Sequence, residues 1–415
     1  MKLKKKIFIL FFVIIILLNI STTVRAEEID INSEAGLLVE VSTGKILYEK
    51  NADKIMYPAS TTKILTAILV LENCELSDMV TVSQNAISNI PSGYVTCNLH
   101  AGEEISVNDL LYALMLPSAN DAAFALAEHV GGSVENFSDM MNEKAKEIGC
   151  TNTHFVNPNG IHDDNHYTTA HDLYLMANYA MKNETFRTIV SKTEYVLPAT
   201  NMHSQADRIM YNSNELLNNN SKNYYYENAI GIKTGTTSKA GSCLVAESSK
   251  NNMELISVTL NGGTTNGLND RFTDSKKLFD YGYENYNFDN ITEKNATIST
   301  TEIENGTKGT KNLSLIAEND ISVLHNINLD LSTITPEITL NENLLAPISE
   351  GEIVGTAKYN VDGIEYTTNL LAGSNVEKKL DISIIILICG ILLLFISVRI
   401  LRKNKKHRNK RKYRK

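Results

Sequence analysis

Three short stretches of this sequence hold residue types suited to nucleophilic chemistry. Ser60-Thr-Thr-Lys63 sets a hydroxyl and an amine three residues apart, at the start of a run, residues 60–71, that is apolar nearly all round. On a helix that spacing puts both side chains on one face, one turn apart. A serine hydroxyl is a poor nucleophile until a base takes its proton. An amine can be that base if burial or a second cation lowers its pKa. The alternative is a helix cap followed by a surface lysine. Ser118-Ala-Asn120 follows Pro117 in the polar break between two helical stretches. A break of that kind can lift a hydroxyl and an amide toward a cleft, or it can simply supply the N-cap of the helix beginning near Asp121. Lys233-Thr-Gly235 sits in a β-rich run. Its ammonium could depress the pKa of Lys63, Thr234 could bind a carboxylate, and Gly235 would let a substrate backbone lie along a strand edge. The alternative there is a polar strand end running into a turn.

The surrounding patterns say which elements must hold these residues. Residues 36–41 and 45–48 flank Ser42-Thr-Gly44 and read as a hairpin. The run at 60–71 is a buried helix, and amphipathic helices follow at 107–115, 121–129 and 134–148, the last ended by Gly149. From Gly231 onward, residues 231–236, 242–247 and 253–260 are short β-rich runs, and 274–281 is a closing helix. The fold class is therefore α/β (α+β), an antiparallel sheet flanked by helices. Beyond it, residues 287–375 show period-two patterns such as Leu313-Ser-Leu-Ile316, which predict a small all-β domain.

Taken together and in this order, separated by 58 and 115 residues, the three motifs form the set found in β-lactamases and penicillin-binding proteins. The sequence resembles the low-molecular-weight penicillin-binding proteins, the serine D-alanyl-D-alanine carboxypeptidases. Tyr57-Pro-Ala-Ser-Thr-Thr-Lys63, Phe155-Val-Asn-Pro-Asn-Gly160 with His166-Tyr-Thr-Thr-Ala170, Gly231-Ile-Lys-Thr-Gly235 and Asp270-Arg-Phe-Thr-Asp274 carry the likeness, and Ala346-Pro-Ile-Ser-Glu-Gly351 resembles the family's C-terminal β domain. The resemblance implies that Ser60 attacks the penultimate D-Ala carbonyl, with Lys63 as base. It implies that Ser118 relays a proton, Asn120 holds the substrate amide and Lys233 tunes the electrostatics. Thr234 and Arg271 would serve the terminal carboxylate, and the N–H groups of Ser60 and Thr236 would form the oxyanion hole. Sequence leaves open which of Lys63 and Ser118 shuttles each proton. The implied partners are a peptidoglycan stem peptide ending in D-Ala-D-Ala and β-lactams as inhibitors; no cofactor or metal is implied.

Both ends carry an address. Residues 1–6 hold four lysines, 7–20 are apolar apart from Asn19, and Val24-Arg-Ala26 fits a signal-peptidase site, predicting a signal peptide over 1–26. Residues 382–401 are long enough to cross a bilayer. A linker, 376–381, precedes that span, and a basic tail, 402–415, follows it and predicts a cytoplasmic C-terminus. Many family members instead end in an amphipathic helix lying on the membrane, so this chain departs in its anchoring. The chain holds 39 basic and 48 acidic residues; the leader takes 5 of the basic ones and residues 399–415 take 11, leaving 23 basic against 48 acidic, a net charge near −25. So acidic a body excludes nucleic acid as a partner. The five cysteines show no CxxC pair and no metal-like spacing, and no disulfide framework is expected.

Three rivals remain. His162, Asp163, Asp164, His166, His171 and Asp172 invite a zinc reading, yet no HExxH-type spacing appears. A β-lactamase shares the motifs, but a class A enzyme adds a deacylating glutamate in an E-x-x-L-N segment, and Asn214-Glu-Leu-Leu217 lacks that spacing. A non-catalytic penicillin-sensing ectodomain would need a larger cytoplasmic partner than fourteen tail residues.

Overall fold

Residues 29–380 and 382–412 are described by the computed structural model, and they divide into two compact units that part between Asn285 and Tyr286. The first is built on a five-stranded antiparallel sheet. Its strands are β1 (Ala35–Glu40), β2 (Ile46–Lys50), β3 (Ala229–Thr237), β4 (Gly241–Lys250) and β5 (Met253–Gly262), in the order β2-β1-β5-β4-β3. Every residue of β1 is buried, because both faces of the sheet are covered. Side chains alternate between the faces of a strand. Leu37 and Val39 therefore join Val245, Ile256 and Val258 in a core shared with the helices. Leu38 points the other way, toward the helix Asp270–Asn285, where Gly282 lies so close that a Cβ would meet Leu255 and Leu38.

Helices α1 (Lys63–Asn73), α2 (Val107–Met115) and α3 (Asn120–Gly131) pack on one another beside the sheet, with Val134–Ile148 against α1 and α3. Eight consecutive residues of α1, Lys63 to Val70, are buried, which is what an apolar-all-round helix requires. The strand β3 is an edge strand, and its free side faces the start of α1.

The second unit is all-β apart from a short 3-10 turn, Leu331–Thr333, and its last element. Strands Thr297–Glu302, Asn312–Ala317, Ile364–Ala372, Ile353–Val361 and Glu337–Leu340 form one antiparallel sheet, and Tyr286–Thr292 pairs with Ile321–Asn326. Leu313 and Leu315 face its core with Val354, Ala357 and Leu370, while Ser314 between them is only half-buried. A helix over Ile382–Lys412 ends the description. Its stretch Ile385–Lys406 has a mean hydropathy of 2.5 and buries nothing, so it is long and apolar enough to cross a membrane. Helix continues well into the basic residues expected as a separate tail. The signal peptide expected over 1–26 lies outside the described residues, as do residue 381 of the linker and residues 413–415 of the tail.

Candidate active site

The nucleophile candidate sits on a tighter turn than the sequence predicts. Ser60 lies in a 3-10 turn, Ala59–Thr62, and the α-helix begins only at Lys63. The hydroxyls of Thr61 and Thr62 each donate at 2.8 Å to a carbonyl three residues back, Pro58 and Ala59 respectively, and so support the i→i+3 turn. Ala59 holds a left-handed φ of 49°. Side chains three apart eclipse on such a turn, which brings Lys63 Nζ to 3.2 Å from Ser60 Oγ.

Lys63 is fully buried. Its Nζ lies 2.9 Å from Asn120 Oδ1 and 2.8 Å from the carbonyl of Asn159. Asn120 Nδ2 donates to the Val95 carbonyl at 2.9 Å, which fixes the amide with its oxygen toward the amine. Burial pushes the Lys63 pKa well below the usual lysine range; the charge of Lys233 adds to this and Asp121 opposes it. A neutral amine has two N–H donors and one lone pair. Two carbonyl oxygens take the donors, and the lone pair is left for the Ser60 hydroxyl. In that state Lys63 can accept the serine proton.

Ser118 adopts a φ of 73°, and its buried Oγ has no hydrogen-bond partner. Neither it nor Asn120 caps α3: the N-cap position belongs to Ala119, with no side-chain bond. Asn120 is the first helical residue. The carboxylate of Asp121 accepts from the N–H groups of Cys97 and Leu99 and so holds the preceding loop to the helix start.

On β3, Lys233 and Thr234 are buried. Lys233 Nζ donates to the Thr234 carbonyl at 3.1 Å; burial, with the Arg271 charge behind it, lowers its pKa to about 7. Thr234 Oγ1 lies 2.6 Å from Ser213 Oγ. A Cβ on Gly235 would stand 2.9 Å from Pro58 O and Ser60 N, so the absent side chain admits the Ser60 turn against the strand edge. Arg271 Nη1 donates at 2.9 Å to the Gly235 carbonyl and to Thr236 Oγ1.

Ser60, Ser118, Asn120 and Thr236 line one open cleft of about 320 Å³, together with Tyr94, Val95, Asn159 and Gly160. Lys63, Lys233, Thr234, Gly235 and Arg271 lie outside that lining. Sequence reasoning did not single out Asn159, Val95 or Ser213. Asn159 stands inside the Phe155–Gly160 signature, which was a usable signal; Val95 acts through its carbonyl and Ser213 through tertiary contact, so neither had one. In the acidic and histidine-rich stretch, residues 162–172, the side chains take separate partners among the described residues. His166 bonds to Thr62 and the Val156 N–H, His171 reaches Asp53, and the Asp172 carboxylate accepts from Asn152 and Thr153.

The profile of the D-alanyl-D-alanine carboxypeptidase family matches residues 21–264, more than half of the chain, and the C-terminal domain of penicillin-binding protein 5 matches residues 286–378. This chain belongs to the D-alanyl-D-alanine carboxypeptidase family. It is accordingly a serine-type peptidase of the penicillin-binding kind. This carboxypeptidase-family chain is 33% identical over 362 residues to D-alanyl-D-alanine carboxypeptidase DacF of Bacillus subtilis, covering 86% of this chain and 87% of that one. It is 31% identical to DacC of Escherichia coli over 86% of each. Among solved structures it is similar to penicillin binding protein 5 of Haemophilus influenzae, with a TM-score of 0.63, 30% identity, and 85% and 99% of the two chains covered.

Proposed function

We propose that this carboxypeptidase removes the terminal D-alanine from peptidoglycan stem peptides through an ester on Ser60. Ser60 Oγ attacks the penultimate D-Ala carbonyl while the Lys63 lone pair takes its proton. The Ser118 hydroxyl, in contact with the substrate, passes a proton from Lys63 to the nitrogen of the departing D-Ala. Water, deprotonated by the same amine, then splits the ester and restores Ser60. Asn120 holds the substrate amide; Lys233, Thr234 and Arg271 supply the positive field and hydroxyl for the terminal carboxylate. The N–H groups of Ser60 and Thr236 take the charge on the tetrahedral oxygen. β-Lactams acylate the same serine.

One observation carries this reading: a buried, deprotonation-prone Lys63 whose two donors are engaged and whose third position faces Ser60 Oγ at 3.2 Å. The unpartnered Ser118 hydroxyl supports it, since a buried polar group without a partner in the free protein is one that a substrate can satisfy. The apolar C-terminal helix anchors the chain in a membrane. The basic flank after it and the leader before the catalytic unit support a catalytic side outside the cell.

The test uses the full-length protein in detergent with a pentapeptide ending in D-Ala-D-Ala. Free D-Ala appears with the parent, none with Ser60→Ala, and labelled penicillin attaches to the parent alone. D-Ala release by Ser60→Ala would overturn the assignment.

A further inference from the structure

At the opposite end of α1, three side chains converge that the catalytic site does not use. We propose that Cys74, Asp78 and His129 bind a divalent transition-metal ion of the zinc type. A thiol sulfur, a carboxylate oxygen and an imidazole nitrogen from these residues lie within 4.8 Å of one another, the one such group among the described residues. A tetrahedral zinc with Zn–S near 2.3 Å and Zn–N and Zn–O near 2.0–2.1 Å needs ligand atoms about 3.3–3.6 Å apart. Cys74 is half-buried and His129 exposed, so rotation of these two side chains is the movement the ion asks for.

The three groups are not committed elsewhere. Neither the Cys74 thiol nor the His129 ring has a hydrogen bond among the described residues. Asp78 uses Oδ2 to accept the Glu75 N–H at 2.9 Å, while its own N–H donates to the Glu75 carbonyl at 3.1 Å. That turn fixes the carboxylate and leaves Oδ1 free. The backbone favours a cation independently. Cys74 is the C-cap of α1 and His129 lies in the last turn of α3, so the negative ends of two helix dipoles meet at the site.

Thiolate, imidazole and carboxylate together select a borderline-soft ion such as Zn²⁺ or Co²⁺ over Ca²⁺ or Mg²⁺. On binding, a metal–sulfur bond replaces the S–H bond, the proton goes to solvent, and water fills the fourth position. The ion would tie together the far ends of the two helices whose other ends carry Lys63 and Asn120. No motif spacing announces it, because His129 stands fifty-five residues beyond Cys74.

Titration of the full-length, metal-stripped protein with Co²⁺ under a phosphine reductant tests this. One equivalent should bind with a thiolate-to-cobalt charge-transfer band, Zn²⁺ should displace it, and Zn²⁺ should raise the Tm. Cys74→Ser should abolish the band and the Zn²⁺-dependent Tm shift. His129→Asn, a surface change, should weaken Co²⁺ binding at least tenfold while metal-free unfolding stays cooperative. A parent protein that shows no band, or binding that survives both substitutions unchanged, overturns the proposal.

Discussion

His166 Nε2 lies 2.8 Å from Thr62 Oγ1, and the same hydroxyl donates to the carbonyl of Ala59, the residue before Ser60. The Val156 N–H donates to His166 Nδ1 at 3.1 Å, so the ring proton sits on Nε2 and the imidazole is neutral. One buried ring thus joins the loop bearing Asn159 to the turn bearing Ser60.

Burial drives the His166 pKa down to about 3. The unfolded chain therefore binds one more proton than the folded one between about pH 3 and the ordinary histidine value. Stability is fully present above about pH 6.5 and falls as pH drops toward 3, with a slope of up to about 1.4 kcal/mol per pH unit from this group. Urea midpoints measured across that range should show the slope, and His166→Gln should flatten it. An unchanged slope in the variant would assign the acid sensitivity elsewhere.

Acylation should follow a bell-shaped pH profile. Lys63 must be neutral to take the Ser60 proton, so the rate rises with pH through its depressed pKa. Lys233 must be charged to attract the substrate carboxylate, so the rate falls as pH passes its value of about 7. Lys63→Met should lower penicillin acylation about 10²–10⁴-fold. Lys233→Arg, whose charge does not titrate in this range, should remove the alkaline limb whatever it does to the maximum. Stopped-flow acylation from pH 5 to 10 reads both.

Gly235→Ala would drive a methyl to 2.9 Å from Pro58 O and Ser60 N. The strand edge must then retreat from the nucleophile turn, at a cost of about 1–3 kcal/mol in stability. The acylation rate should fall by more than that stability loss explains, because the displaced atoms are the nucleophile's own. Chemical denaturation and penicillin labelling on one preparation separate the two effects.

Ser213→Ala removes the partner of Thr234 Oγ1. The threonine hydroxyl then loses the bond that orients it for the carboxylate role proposed above. We expect KM for the pentapeptide to rise about 3- to 10-fold, as for the loss of one modest hydrogen bond, with kcat nearly unchanged. An equal fall in kcat would instead place Ser213 in proton transfer.

Much of this was legible in the chain. Ser60 and Lys63 are three residues apart, and any helical turn brings such a pair together, so their partnership is a local matter. The period-two pattern around Leu313 and Leu315 and the apolar run at 382–401 are equally local, the first set by burial of one face of a strand and the second by length and hydropathy alone. Tertiary structure decided what no spacing encodes. The 3-10 turn at Ala59–Thr62 depends on hydroxyl-to-carbonyl bonds and on the imidazole of His166, 104 residues beyond Thr62. The lone pair of Lys63 is aimed by Asn120 and by a backbone carbonyl at Asn159, and a carbonyl carries no side-chain signature at all. Gly235 reads as room for a substrate in the sequence, yet the fold brings the Ser60 turn against it. The sequence by itself determined which groups could react; only the packing of β3 and the Asn159 loop on the start of α1 decided how each is oriented, because burial and lone-pair direction are properties of neighbours distant in the chain.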